Sequence, residues 1–227
     1  MYAAGWLVLL SGCPKAPEPD LSAVPVQVDA EAEAAQAVAY EAIALDYARG
    51  DAPGALAGIA AFRQRWPSSP AEGLLVGWAD ALGRVGQPAP ALDGVRWRHQ
   101  VGGYSPVTLV VFFEPWCPHC QVEVPTLELL RRDYAERGLG MVGLTQLSRE
   151  STQADLTTFV ERGFLGFPVG VEDGTLTEAY GVDGVPSLAI VRDGRIAWAG
   201  HPAFLSTQLV EAALSPEGLP VPREAIR

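Results

Sequence analysis

The sequence predicts an α/β fold, a mixed sheet flanked by helices and preceded by a small all-α segment. Three observations carry this expectation. Residues 30–86 hold Ala-rich helical patterning with no strand signal. From Gln87 onward, short apolar runs alternate with helical patterns, the order expected of a sheet with helices on its faces. The aromatic and β-branched run Thr108–Phe113 leads almost at once into Cys117-Pro118-His119-Cys120, which opens a helix.

In the N-terminal part, helical patterning runs from Glu31 to Arg49 and stops at Gly50. Asp51 offers an N-cap, with Pro53 in the first turn of a second helix that ends near Trp66 because Pro67 follows. Ser69-Pro70-Ala71-Glu72 has the form of a capping box with proline at the first helical position. It predicts a third helix ending between Gly83 and Gly86. The stretches Tyr47–Asp51, Ala55–Phe62 and Trp66–Ala71 resemble a tetratricopeptide-type helical hairpin. The resemblance covers little more than one repeat, and free-standing solenoids need about three. Two uses therefore stand open: a bundle docked on the chain's own α/β domain, or a surface for a partner or a second copy.

In the α/β part, Val95–Arg98 reads as a short strand after the Asp93-Gly94 turn, and Thr108–Phe113 as a buried strand. Pro118 to Arg137 is a helix that Pro125 should kink. Gly140–Thr145 is a strand, Ser151–Arg162 a helix, Phe167–Val171 a strand and Thr175–Tyr180 a brief helix. Val185–Val191 and Arg195–Ala199 flank a hairpin turn at Arg192-Asp193-Gly194, and Ala203–Leu214 closes as a helix. The Pro- and Glu-containing tail, 215–227, is expected to be disordered.

Cys117 and Cys120 carry the chemistry. At a helix start the first sulfur lies among unpaired N–H groups and the positive end of the helix dipole, which favour a thiolate. The thiolate is the nucleophile of thiol–disulfide exchange. A structural zinc site normally needs four ligands. Only His99 and His201 stand outside the motif, and no second Cys-x-x-Cys exists. An inert disulfide is a further alternative, but it leaves the preceding strand without a purpose. Peroxidatic chemistry is disfavoured because Phe113-Glu114-Pro115-Trp116 lacks a Pro-x-x-x-Thr/Ser-x-x-Cys pattern. Composition is globular, at 48% hydrophobic and 19% charged, and a net charge of −11 gives nucleic-acid binding no electrostatic support.

Phe112–Cys120 together with Tyr180–Ser187 resemble the thioredoxin fold, and the similarity spans roughly Gln87 to Leu214. Within that fold the chain is similar to the TlpA/ResA family of membrane-tethered, extracytoplasmic thiol–disulfide oxidoreductases. Its Trp-Cys-x-x-Cys-x-x-Glu-x-Pro pattern is present as Trp116, Cys117, Cys120, Glu123 and Pro125. The resemblance implies a thioredoxin-like domain over 87–214 acting on protein thiols and disulfides, with an unnamed redox partner. It implies no metal and no organic cofactor, only a redox-active Cys117–Cys120 disulfide.

By the same resemblance Cys117 is the attacking thiolate and Cys120 the resolving thiol. Pro186 is a cis-proline lining the groove, and Val185 offers backbone hydrogen bonds to an extended substrate. Glu123 shuttles a proton, unless it is merely a solvated helix residue. Trp116 shields the disulfide, unless it only packs. Thioredoxin keeps a buried Asp six residues before the first cysteine, where this chain has Val111. A proton acceptor must then come from Glu123 or Glu114. His119 next to Cys117 should favour the thiolate and make the protein more oxidising than a Pro variant, by at least about 30 mV. Cys-Pro-His-Cys matches DsbA-type oxidases, whereas TlpA/ResA proteins often act as reductants, so the direction of electron flow stays open.

At the N-terminus, Ala3–Leu10 followed by Ser11-Gly12-Cys13 resembles the apolar segment and lipobox of a bacterial lipoprotein signal. The apolar stretch is too short to span a bilayer. No Lys or Arg precedes it, as would hold if translation starts upstream of Met1. The resemblance implies lipidation at Cys13, a signal over 1–13, a Pro-rich tether over 14–29 and the helical segment over 30–86. It places the protein in the bacterial cell envelope facing the periplasm, anchored to a membrane by lipid. Pro14 is not the Asp of an inner-membrane retention signal, which favours the outer membrane. The plainer alternative for Cys13 is a free thiol in an ordinary N-terminus. The rival function is a partner-binding lipoprotein that uses the helical segment, with the α/β fold as scaffold.

Overall fold

A computed structural model describes residues 30–220. Cys13, the tether and residues 221–227 lie outside the described residues. Helices α1 (Ala30–Arg49) and α2 (Ala52–Arg65) form a hairpin, and α3 (Glu72–Leu82) follows. The α1–α2 turn depends on Gly50. Its φ of 75° is left-handed, and a Cβ there would lie 2.7 Å from the Leu209 side chain. Asp51 caps α2 as expected, accepting from the Gly54 N–H at 3.0 Å. The capping box anticipated for α3 does not form. Ala71 is the N-cap and no side chain caps it. Ser69 Oγ accepts from Ala71 N–H and Gln36 Nε2 instead, and the Glu72 carboxylate is drawn to Arg63 of α2 at 2.8 Å.

The sheet contains β1 (Arg96–Trp97), β2 (Val107–Phe112), β3 (Leu139–Thr145), β4 (Val169–Val171), β5 (Ser187–Arg192) and β6 (Arg195–Gly200), in the order β1-β4-β3-β2-β5-β6. Strands β2, β3 and β4 are parallel neighbours, while β1, β5 and β6 join antiparallel. Four helices serve this sheet: α4 (Pro118–Tyr134), α5 (Gln153–Arg162), α6 (Thr175–Ala179) and α7 (Thr207–Leu214). Every residue of β2 is buried because both faces are covered. Leu109, Val111 and Phe113 enter one core and Val110 and Phe112 the other. The fold is thioredoxin-like, a mixed sheet flanked by helices with three helices before it.

The helical segment docks on the chain's own sheet. Tyr47 of α1 donates its hydroxyl to the Ala199 carbonyl at 2.7 Å, and its own carbonyl accepts from Trp198 Nε1 at 2.9 Å. Its ring stacks on Trp78 of α3 with centroids 4.9 Å apart. A β-bulge in β6 makes this possible: Ile190 pairs with Trp198 and Val191 with Ile196, leaving Ala197 extra. Ala197 and Trp198, though consecutive, both enter the core shared with α1–α3. Between the segments, Gly86 N–H donates to the Ile196 carbonyl, Ile196 N–H to the Gln87 carbonyl and Ala89 N–H to the Gly194 carbonyl.

Two differences lie near the C-terminus. The last helix begins at Thr207, not Ala203, because Ser206 caps it by accepting from Leu209 N–H at 3.0 Å. Residues 202–204 form a separate 3-10 turn. Residues 215–220, expected to be disordered, pack on the domain instead. Arg192 donates to the carbonyls of Ala213, Ser215 and Pro216, and Leu219 is buried against the core.

Candidate active site

Strand β2 delivers the chain to the end of the sheet, and the turn Glu114–Trp116 leads into Cys117. Cys117 is the N-cap of α4, with φ −77° and ψ 116°, and its sulfur accepts from the Cys120 N–H at 3.2 Å. The sulfur thus takes the place an N-cap hydroxyl or carboxylate usually fills, where the helix end favours negative charge. Pro118 fits the first helical position because its missing N–H is not needed there.

Both cysteines are free and both are buried, Cys117 at 3% and Cys120 at 0% exposure. The first sulfur is thus sheltered as well as the second. Burial, followed by the contact with Cys117, pushes the Cys120 thiol well above the ordinary cysteine range. The Cys117 sulfur donates to the Val185 carbonyl at 3.5 Å. The Val185–Pro186 bond is cis and Pro186 is buried. Two chain segments far apart in sequence therefore meet at the first sulfur.

The other residues singled out in the sequence are placed as follows. His119 is exposed on the first turn of α4, and among the described residues no hydrogen bond joins it to either sulfur. Glu123 is half-buried one turn after Cys120, also without a hydrogen bond to them. Pro125 stands inside α4, where it cannot donate to the Gln121 carbonyl. Trp116 is half-buried. Its Nε1 donates to Ser148 Oγ at 3.1 Å, and the Arg149 guanidinium lies 3.8 Å over its ring. Glu114 is buried and its two oxygens accept from the N–H groups of Gln146 and Ser148, each at 3.0 Å.

A cleft of about 480 Å³ opens between Trp116, Ser148 and Arg149 on one side and Val182–Val185 on the other. The Val182–Val185 segment also borders a second trough of about 340 Å³, whose far wall is Leu74, Gly77, Trp78 and Ala81 of α3. Sequence reasoning missed Ser148 and Arg149. The available signal was topological: β2 and β3 are parallel neighbours, so the loops after them emerge at the same end of the sheet. In open α/β sheets, ligand sites gather beyond the strand carboxyl ends. Among the described residues, no group of three or more His, Cys, Asp or Glu side chains could hold a metal ion.

The model of the AhpC/TSA family matches residues 85–199. Among curated proteins, the chain is 28% identical over 101 residues to the thiol-disulfide oxidoreductase ResA of Halalkalibacterium halodurans, covering 44% of this chain and 56% of that one. It is 31% identical over 87 residues to the ResA of Bacillus cereus, covering 37% and 49%. The chain thus spans about half the length of the curated relatives it matches. Among solved structures, a Chlorobium tepidum protein assigned as the thiol:disulfide interchange protein DsbE superposes with a TM-score of 0.51 at 21% identity. That likeness covers 58% of this chain and 98% of the other, and it shows the shared fold.

Proposed function

The chain belongs to the AhpC/TSA family, and from that premise we propose that it is a thiol–disulfide oxidoreductase exchanging disulfides with protein substrates through Cys117 and Cys120. The observation that carries the reading is the meeting of the Cys117 sulfur, at a helix N-cap, with the carbonyl that precedes a cis-proline. The ResA relatives, named as thiol-disulfide oxidoreductases, support it.

In the reductive direction, the Cys117 thiolate attacks one sulfur of a substrate disulfide. That S–S bond breaks, the substrate's other sulfur leaves as a thiolate and takes up a proton, and a mixed disulfide joins Cys117 to the substrate. Cys120 then loses its proton and attacks the Cys117 sulfur. The mixed disulfide breaks, the second substrate thiol departs, and the protein retains a Cys117–Cys120 disulfide. Two electrons have passed from the dithiol to the substrate, and oxidation of a substrate dithiol is the reverse. The upward-shifted Cys120 thiol gives the order of events: Cys117 reacts first, and Cys120 needs a proton acceptor before it can resolve the intermediate. Glu123, half-buried one turn away, and Glu114, whose charge acts on Cys120, are the candidate acceptors. Trp116 and Val185 are the walls against which the substrate segment lies.

The test is insulin reduction by the full chain, driven by excess dithiothreitol and followed as turbidity. Catalysis above the dithiothreitol background, lost in Cys117→Ser, is expected. Background rates from the wild-type chain would overturn the proposal.

The proposed setting is the bacterial cell envelope, with the protein held to a membrane by lipid on Cys13. The lipobox-like run Leu10-Ser11-Gly12-Cys13 supports this reading, and so does the Pro-rich stretch after it. Among the described residues no helix is long and apolar enough to cross a membrane. Cys13→Ser should move the protein from the membrane fraction to the soluble fraction, because acyl chains supply the binding free energy. Unchanged membrane association would remove the anchor.

A further inference from the structure

We infer that Glu114 is a positioning residue: it pins the loop 146–150 beside the redox turn, and through that loop it sets Trp116, the residue adjoining Cys117. The inference rests on the proposed redox reading of this site and assigns a use to its one buried carboxylate.

The loop is held in a conformation that its residues do not favour. Leu147, Arg149 and Glu150 have φ of 59°, 51° and 63°, and none is glycine. Left-handed backbone at three of four consecutive non-glycine positions persists only where the surroundings impose it. Arg149 and Glu150 lie within a turn closed by the Ser151 N–H on the Ser148 carbonyl at 3.1 Å, and Glu114 fixes the residue where that turn begins. One oxygen takes the N–H of Gln146 and the other that of Ser148, so the carboxylate straddles Leu147. Thr145 Oγ1 takes the Leu147 N–H between them, at 3.2 Å. Glu114 is 5% exposed, so these N–H groups have a partner that water could not readily replace.

What the loop presents goes to Trp116. Ser148 accepts from the indole N–H, and Arg149 covers the ring face. Each comes from a residue whose own position follows from the pinned turn. The chain of contacts therefore leaves β2 at Glu114, crosses to the loop after β3, and returns to Trp116, two residues further on. Both Glu114 oxygens accept from main-chain donors, which is the arrangement of an anchor.

The experiment replaces Glu114 by Gln in the full chain. Gln keeps the volume but has a single acceptor oxygen, and its NH₂ group must face one of the two N–H donors. Trp116 is read out by acrylamide quenching, with its contribution isolated by subtracting a Trp116→Phe variant of each background. The expected result is at least a twofold rise in Trp116 quenching in E114Q, together with a several-fold rise in KM for insulin that exceeds any fall in kcat. If E114Q fails to fold, S148A removes the Trp116 acceptor while leaving Glu114 bonded, and should give the same rise in quenching. A lower melting temperature with unchanged quenching and unchanged KM would make Glu114 a purely structural residue and overturn the inference. If quenching rises but the wild type reduces no insulin, the positioning stands and the redox reading falls.

Discussion

Tyr47→Phe tests whether the helical segment and the sheet are one cooperative unit. The substitution removes one oxygen and keeps the ring, so the stacking on Trp78 and the edge contact with Phe204 at 5.1 Å survive. What is lost is the 2.7 Å hydrogen bond to the Ala199 carbonyl. Tyr47 and Ala199 are both buried, at 2% and 6% exposure, so water replaces the hydroxyl poorly as donor. A buried acceptor left without a partner costs about 1–3 kcal/mol. For a chain of this size that is a fall in melting temperature of roughly 2–4 °C per kcal/mol. Urea unfolding followed by far-ultraviolet dichroism and by tryptophan fluorescence gives the test. Both probes should report a single transition in both proteins, with the midpoint lower in the variant and the slope unchanged. A change in stability below about 0.3 kcal/mol would refute the energetic argument, since it would lie well under the cost of an orphaned acceptor. Separate transitions for the two probes would refute the shared core.

Three further outcomes follow from the same structure. Cys117→Ser should abolish exchange, while Cys120→Ser should accumulate mixed disulfides with substrate, visible on non-reducing gels; wild-type turnover by Cys117→Ser would reverse the assignment. His119→Pro should shift the reduction potential by less than about 30 mV, equivalent to about 1.4 kcal/mol. The imidazole is exposed and makes no hydrogen bond to sulfur, and solvent-screened charges of this kind contribute about 1 kcal/mol or less. Glutathione equilibration measures the shift, and a larger one would restore the stronger role that the sequence predicts. Burial acts to raise the Glu128 carboxyl, but hydrogen bonds from Arg131 and Arg132 outweigh it and hold the group below its usual 4.5. A depressed carboxyl stabilises the fold above its unfolded pKa and loses that contribution as pH falls through the lower folded value. Glu128→Gln should therefore cost about 2 kcal/mol at neutral pH, and the gap to wild type should close below pH 4.5 in denaturation experiments; a gap independent of pH would contradict this.

Local grammar made most of the fold legible. Gly50, Asp51 and Pro53 marked the α1–α2 turn because each acts on its own backbone. The redox turn was legible for a similar reason, since two cysteines and a proline at a helix start specify their own geometry. What escaped was set by partners distant in sequence. Ser69 and Glu72 could have capped α3, but Gln36 and Arg63 recruited them. The β6 bulge at Ala197 accompanies the bond from Trp198 to the Tyr47 carbonyl, across 151 residues. The burial of Glu114 had no local sign, because the N–H groups that hold it lie 32 and 34 residues away.

The run Gly86–Ala89 bears on how this molecule meets others of its kind. Lying along the outer side of β6, it occupies main-chain groups that a border strand would otherwise offer to a neighbouring polypeptide. The opposite border, β1, is only two residues long. Neither side of the sheet thus presents a template on which a stray or half-folded chain could extend by strand addition. For a protein proposed to act on protein disulfides, that has a practical effect: an extended segment of a substrate finds no rim of the sheet on which to be captured.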